Sequence, residues 1–182
     1  MGKMILVTGY LAALKTTVSQ RLSNDLHLVC LNKDTLKEIL GESIGFRDRE
    51  ENLKLSRAAF LLMRVFAEKM LDTDQCFILE SNFKAFELAE LRSIAKLDQH
   101  HVLTLFLKGD PDVLYERFIH RQPNRHPVHT SAGHLSLETF KQTTKEFLPE
   151  NGIGEIIEID TTHFSEDDHQ DLVRKVSDFI GS

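Results

Sequence analysis

Gly9-Tyr10-Leu11-Ala12-Ala13-Leu14-Lys15-Thr16-Thr17 is the stretch on which the reading of this 182-residue chain turns. It follows an apolar run, Met4-Ile5-Leu6-Val7, and precedes Val18, Leu22 and Leu26, spaced four apart as on one face of a helix. Strand, glycine turn, Lys-Thr and helix together make the context of a phosphate-binding loop. In such a loop, backbone N–H groups point inward at phosphate oxygens, and the free donors of the helix N-terminus join them. Here that assigns nucleotide contacts to Gly9, Ala12, Ala13, Leu14, Lys15, Thr16 and Thr17. Lys15 is placed to reach the β/γ-phosphates and the Thr16 hydroxyl to hold Mg²⁺. One position departs from G-x-x-x-x-G-K-[ST]. Leu14 stands where the pattern has glycine, whose missing Cβ lets the backbone approach the phosphate, so weak ATP binding is expected.

Outward from the loop, strands and helices alternate. His27 to Leu31 reads as a second strand, running into Asn32-Lys33-Asp34 and a helix marked by Leu36, Ile39 and Leu40. Asp34 suits the N-cap of that helix, and it also stands at a strand's carboxyl end, where open α/β sheets gather ligands. Arg49 to Leu71 is strongly helical, with Leu55, Ala59, Leu62, Phe66 and Met70 as its expected buried stripe. Gln75 to Leu79 is a third strand. It ends at Glu80, where many phosphate-loop enzymes carry the acid that organises Mg²⁺. A helix through Leu88, Leu91 and Ala95 follows, then a fourth strand, Val102 to Leu107.

Asp110 and Pro111 open the next helix as N-cap and first helical residue. Arg117 and Arg121 share one of its faces, while Arg125 lies beyond Pro123, which should end it. Residues 122–135 hold two prolines, a glycine and three histidines without apolar periodicity, the composition of a mobile lid. His126, His129 and His134 could suggest zinc, but Pro127 prevents a regular helical pair and no cysteine or carboxylate joins them in sequence. Phe140, Thr144 and Phe147 mark another helix, Glu155 to Ile159 a fifth strand leading to Asp160 and Thr161, and Leu172, Val176 and Ile180 a last helix.

Length predicts one domain over residues 1–182, and 41% hydrophobic with 27% charged residues is ordinary for a globular protein. The formal net charge of -6 argues against general nucleic-acid or acidic-membrane binding, though a local arginine cluster can still serve a small anionic substrate. Cys30 and Cys76 fall in predicted buried strands without metal or disulfide spacing, and read as inert core thiols. The apolar N-terminal stretch is far short of a membrane span and lacks the marks of a signal peptide, so the cytoplasm is the expected location. The sequence carries no indication of oligomeric state.

These features describe an α/β architecture like that of nucleoside-monophosphate kinases, a three-layer P-loop NTPase fold with a lid. The chain resembles the small phosphate-loop proteins classed as predicted kinases or AAA-family ATPases, whose wider relatives include gluconate and shikimate kinases, chloramphenicol phosphotransferase and zeta toxins. The likeness rests on residues 9–17, 32–38, 78–83, 109–118 and 125–129, and so spans nearly the whole chain. It implies a five-stranded parallel sheet of order 2-3-1-4-5. It implies further that Asp34 faces the acceptor hydroxyl, that Arg121 and Arg125 are lid arginines near the transferred phosphate, and that the loop at Asp160 and Thr161 lies by the adenine. Arg117 is grouped with these nucleotide contacts.

The expected activity is transfer of the γ-phosphoryl group of ATP, with Mg²⁺, to a hydroxyl of a small molecule. Lys15, Asp34, Arg121 and Arg125 are its candidate catalytic residues, and Thr16 and Glu80 its candidate metal ligands. Two alternatives stay open: a degenerate nucleotide-binding protein weakened by Leu14, and an NTPase whose acceptor is water.

Overall fold

A computed structural model describes residues 2–95, 101–129 and 135–182. Strands Lys3–Gly9 (β1), Val29–Asn32 (β2), Cys76–Glu80 (β3), Val102–Lys108 (β4) and Glu155–Asp160 (β5) form one sheet of order β2-β3-β1-β4-β5, every pair parallel. This is the α/β P-loop kinase-like fold, with the expected strand order. The helices are Lys15–Leu26 (α1), Lys33–Ile44 (α2), Arg49–Leu71 (α3), Ala85–Ile94 (α4), Pro111–Arg121 (α5), Leu137–Thr144 (α6) and Glu166–Gly181 (α7). Among the described residues no helix is long and apolar enough to cross a membrane.

Alternation along the central strand divides the core in two. Ile5 and Val7 of β1 face Val18 and Leu22 of α1, Leu114 and Phe118 of α5, Phe140 of α6 and Leu172 and Val176 of α7. Met4 and Leu6 face Phe60, Met63 and Ala67 of α3 and Leu88 and Leu91 of α4. β1, hydrogen-bonded on both sides, is fully apolar from Met4 to Val7, as a strand covered on both faces must be. The chain leaves β1 toward β2 and β3 and later crosses to β4, so the sheet reverses direction beside β1. The loop after β1 therefore opens into the crevice where ligands of such sheets bind.

Several expectations shift in register. β2 begins at Val29 rather than His27, because His27 adopts a left-handed conformation (φ 54°) that ends α1. β2 is an edge strand, so Cys30 is partly exposed rather than buried, and so is Cys76 at the start of β3. Burial nevertheless pushes both thiols up to about 11, which keeps them inert. On α3 the buried face is Leu55, Ala59, Phe60, Met63 and Ala67, while Leu62 is 51% exposed. The small Ala67 is fully buried, Phe66 and Met70 of the expected stripe pack on the core while partly buried, and Leu62 alone turns outward. On α7, Phe179 takes the core place expected of Ile180.

Candidate functional site

Gly9 sets the start of the loop. Its φ of 126° is open to glycine, and a Cβ there would stand 2.0 Å from the Leu107 carbonyl oxygen of β4. The Tyr10 N–H donates to that same carbonyl at 2.9 Å, which locks the loop onto the sheet. Leu14, where the motif has glycine, sits just before α1 with φ 59° and ψ 19°. The loop thus keeps the left-handed backbone that glycine adopts freely, and leucine carries the cost, about 1 kcal/mol. The isobutyl group packs on the core beside α1, and Leu14 is also among the residues that line the pocket.

That pocket, about 210 Å³, gathers Ala12 to Thr16 of the loop, Asp34 of α2, Glu80 at the end of β3, Arg121 at the end of α5 and Arg125 beyond it. Four separate segments thus bring together the candidate catalytic and metal-binding side chains. Gly9 and Thr17 do not line it, the first lying beneath the loop and the second outside on α1. Arg117, Asp160 and Thr161 do not line this pocket and lie beside the carboxyl ends of β4 and β5. The Arg117 guanidinium donates to the Thr161 and Thr162 carbonyls, both at 2.9 Å. Thr161 is fully buried and donates to the Lys108 carbonyl through its N–H and its hydroxyl, and Asp160 accepts from the Thr162 N–H. In the protein as it stands, these three hold their loop in shape.

At the floor of the pocket Lys15 is buried, and its ammonium donates to the Tyr10 and Gly9 carbonyls. The Thr16 hydroxyl donates to Glu80 Oε2 at 3.1 Å, and the Asn32 amide donates to the same oxygen. Burial raises the Glu80 carboxyl to about 7, partly opposed by the charge of Lys15; burial likewise lowers Lys15 to about 8, partly opposed by Glu80 and Asp34. A carboxyl raised by folding favours the folded state while protonated. The Glu80 contribution is therefore complete below about 4.5 and is lost as pH rises through about 7. Lys15, being depressed, contributes above about 10.5 and loses that contribution as pH falls through about 8. Glu80→Gln should therefore gain stability on the parent protein between pH 5 and pH 8, on the order of a few kcal/mol. Urea titrations of both proteins at the two pH values test this. An equal stability gap at both would contradict a buried charge at Glu80.

Asp34 is not the cap of α2. Asn32 is, its side chain accepting the Thr35 N–H at 3.0 Å, so the helix starts at Lys33. The reason lies in the sheet: β2 pairs as far as Asn32, opposite Glu80, and the chain can turn into a helix at once from there. The Asp34 carboxylate, two-thirds exposed and released from capping, faces the pocket.

Other walls of the pocket had no part in the sequence reading. Lys33 is buried and paired with the buried Glu87 of α4. Lys37 is buried and donates to Asn52 Oδ1 and to the Val128 carbonyl; burial first of all lowers its basicity. Lys84 and Asn82 follow β3, and the Asn82 Oδ1 is buried without a hydrogen-bond donor among the described residues. An unmet buried acceptor facing a pocket points to a ligand-facing wall. Adjacency to the strand-end Glu80 is the signal in the sequence that could have found Asn82.

The described part of residues 122–135 is docked rather than free. Gln122–Asn124 and Pro127–His129 are short 3₁₀ turns, and Val128 is fully buried. The Val128 carbonyl accepts from Lys37 and, at 2.8 Å, from Asn52. His129 lies 2.8 Å from Glu38 and 4.0 Å from Asp34, and His126 lies 3.5 Å from Glu42. The two histidines thus have carboxylate neighbours from α2 that their sequence surroundings did not show. Among the described residues no group of three or more His, Cys, Asp or Glu side chains is arranged to hold a metal ion, and His134 lies outside those residues. Among the described residues neither Arg121 nor Arg125 pairs with a carboxylate. The Arg125 guanidinium stands 5.6 Å over the Phe118 ring, and burial and the neighbouring Arg121 both oppose its charge.

The fold and this pocket define a P-loop nucleotide-binding domain with a kinase-like structure. The model of the AAA domain family matches residues 4–147, and the chain belongs to that family. No curated protein matches the sequence. Among solved structures, a candidate kinase from Chloroflexus aurantiacus j-10-fl is 29% identical, with 98% of each chain covered and a TM-score of 0.80. Shikimate kinase from Bacteroides thetaiotaomicron is 15% identical over 99% of both chains, with a TM-score of 0.61. Kti12 from Chaetomium thermophilum, solved with ADP-AlF3, is 17% identical over 98% of this chain and 100% of its own, with a TM-score of 0.68. The last two share the fold.

Proposed function

We propose that the protein is an ATP-dependent kinase that transfers the γ-phosphoryl group to a hydroxyl of a small molecule. The observation that carries this reading is the meeting of Asp34, Arg121 and Arg125 with the phosphate loop in one pocket, the two guanidiniums lacking carboxylate partners among the described residues. Phosphoryl transfer needs positioning and charge neutralisation more than covalent chemistry. Lys15 would exchange its two loop carbonyls for β/γ-phosphate oxygens. Arg121 and Arg125 would neutralise charge on the transferred group, and Asp34 would orient the acceptor hydroxyl and take its proton.

The Thr16 hydroxyl and the Glu80 carboxylate are adjacent oxygen donors, a set that suits Mg²⁺, and the Asn32 amide would fix the carboxylate from behind. When bound, the ion would draw charge off the β/γ oxygens. The likeness to shikimate kinase supports an alcohol acceptor only through the shared fold.

Product analysis tests the proposal. Incubation with Mg·ATP and a metabolite library should yield ADP and a phosphorylated metabolite. Free phosphate as the sole product would mean an NTPase, and no ADP at all a binding module. Leu14, which stands in the motif's glycine position and is among the lining residues, is the feature that would favour the latter alternative. Leu14→Gly should tighten ATP binding by at most about 1 kcal/mol, because the left-handed backbone is already present in the free protein and its cost largely cancels on binding. Calorimetric titration decides it. Equal affinities would mean that the isobutyl group costs the nucleotide nothing.

A further inference from the structure

A second cavity, about 340 Å³, opens beside the phosphate-loop pocket on the α3–α4 side of the sheet. It is less polar than its neighbour. Phe83, Ala85, Leu88, Phe106, Phe147 and Leu148 form its apolar part, and Thr8, Lys84, Glu146 and Asn151 its polar part. Phe83, Leu88 and Phe106 are nearly fully buried, whereas Leu148 remains 45% exposed at the rim.

Two contacts join this cavity to the reaction site. Lys84 lines both spaces, and Phe106 at the end of β4 packs edge-on against Tyr10 of the phosphate loop, ring centres 5.6 Å apart. The frame is built firmly. Glu87 pairs with Lys33 and accepts the Lys84 N–H, tying the starts of α2 and α4 together. On the opposite wall, the buried Thr104 hydroxyl donates to the Ile153 carbonyl and accepts the Ile153 N–H, fixing the turn at Gly152 to the sheet. A cavity with an apolar part held open by such ties, one side chain away from a phosphoryl-transfer pocket, is shaped to receive part of what reacts there.

We infer that this cavity binds the apolar body of the phosphoryl acceptor, which is an alcohol carrying an aromatic or branched hydrocarbon group rather than a polyol. The inference rests on the kinase reading for the word acceptor, and on the cavity alone for the apolar body. Lys84 stands at the junction, where its ammonium has no carboxylate partner among the described residues and lies 6.0 Å from the Phe86 ring. The hydroxyl end of the acceptor reaches Asp34 past Asn82 and Lys84.

The probe is naphthylethanol, whose fluorescence reports its binding to the whole protein directly. It should bind, and Leu148→Asp and Phe147→Ser should each weaken it about tenfold or more, because both place a polar group in an apolar site. Neither residue touches the phosphate-loop pocket, so ATP affinity should be unchanged in both variants. Leu62→Ser, on the outer face of α3, is the control and should change nothing. Sorbitol should not compete. Naphthylethanol binding that is indifferent to both rim variants, or displaced by sorbitol, overturns the inference. Two further outcomes separate it from the kinase reading. Phosphorylation of polyols at rates indifferent to Leu148→Asp leaves a kinase and removes the apolar acceptor. Probe binding that Leu148→Asp weakens, with no alcohol ever phosphorylated, removes the kinase and keeps the cavity as a site for apolar alcohols.

Discussion

Asp34→Asn should lower phosphoryl transfer by roughly 10²-fold or more while leaving ATP affinity nearly unchanged. The substitution keeps size and loses only the charge and basicity of the carboxylate. Capping no longer confounds it, because Asn32 caps α2 and Asp34 sits one turn-position inside the helix. Its electrostatic setting is legible too: His129 lies 4.0 Å away, and Lys15 and Lys37 both feel its charge. Stability should shift little, since the side chain is two-thirds exposed. Initial rates with the acceptor found by product analysis, alongside ATP titrations, make the measurement. An Asp34→Asn protein that transfers phosphate at the parental rate would remove the proposed base.

The second large effect is expected at Arg125. Lysine there keeps a positive charge but loses the planar fork that can bind two phosphate oxygens at once. Arg125→Lys should reduce transfer by about 10-fold to 10²-fold and nucleotide affinity much less, the signature of a contact that strengthens in the transition state. The stack on Phe118 makes lysine a poorer substitute still, because a flat guanidinium lies over a ring better than an ammonium does. Arg121→Lys should follow the same pattern more weakly, since Arg121 is exposed at the end of α5. Comparable kcat and KM for the parent and Arg125→Lys would place this guanidinium outside the reaction.

How much of this was legible in the sequence depends on range. Gly9, Lys15 and Thr16 announced the loop because their roles are set within nine residues and by the helix that follows. Strand order came from resemblance, and no local pattern in the chain could have supplied it. Residues whose roles depend on distant segments were missed or misplaced. Asp34 and Asn32 are both competent caps in isolation, and pairing of Asn32 with β3 decides between them. Leu62 of α3 was misread as buried because apolar residues nearly encircle that helix, so periodicity alone leaves its orientation partly open. Lys37 gave no local sign, because its meaning comes from Val128, 91 residues away, and Asn82 gave only its nearness to Glu80, its meaning coming from an orphaned buried oxygen. Phe147 read as a helix position and proved to lie past the end of α6, in the wall of the second cavity.

The anchoring of Val128 sets a limit on how this end of the molecule can travel. Chain leaves the rigid α5 at Arg121 and is nailed again at Val128, where one carbonyl is held by two buried side chains. Arg125 stands three residues short of that nail, so its Cα cannot swing beyond about 10 Å from it. The segment is thus a short lever with two fulcra, suited to small strokes. A wide opening would first have to pull Val128 out and cost Lys37 and Asn52 the carbonyl they share. The reach of Arg125 and the firmness of one buried valine are therefore the same mechanical quantity, read at two places in the chain.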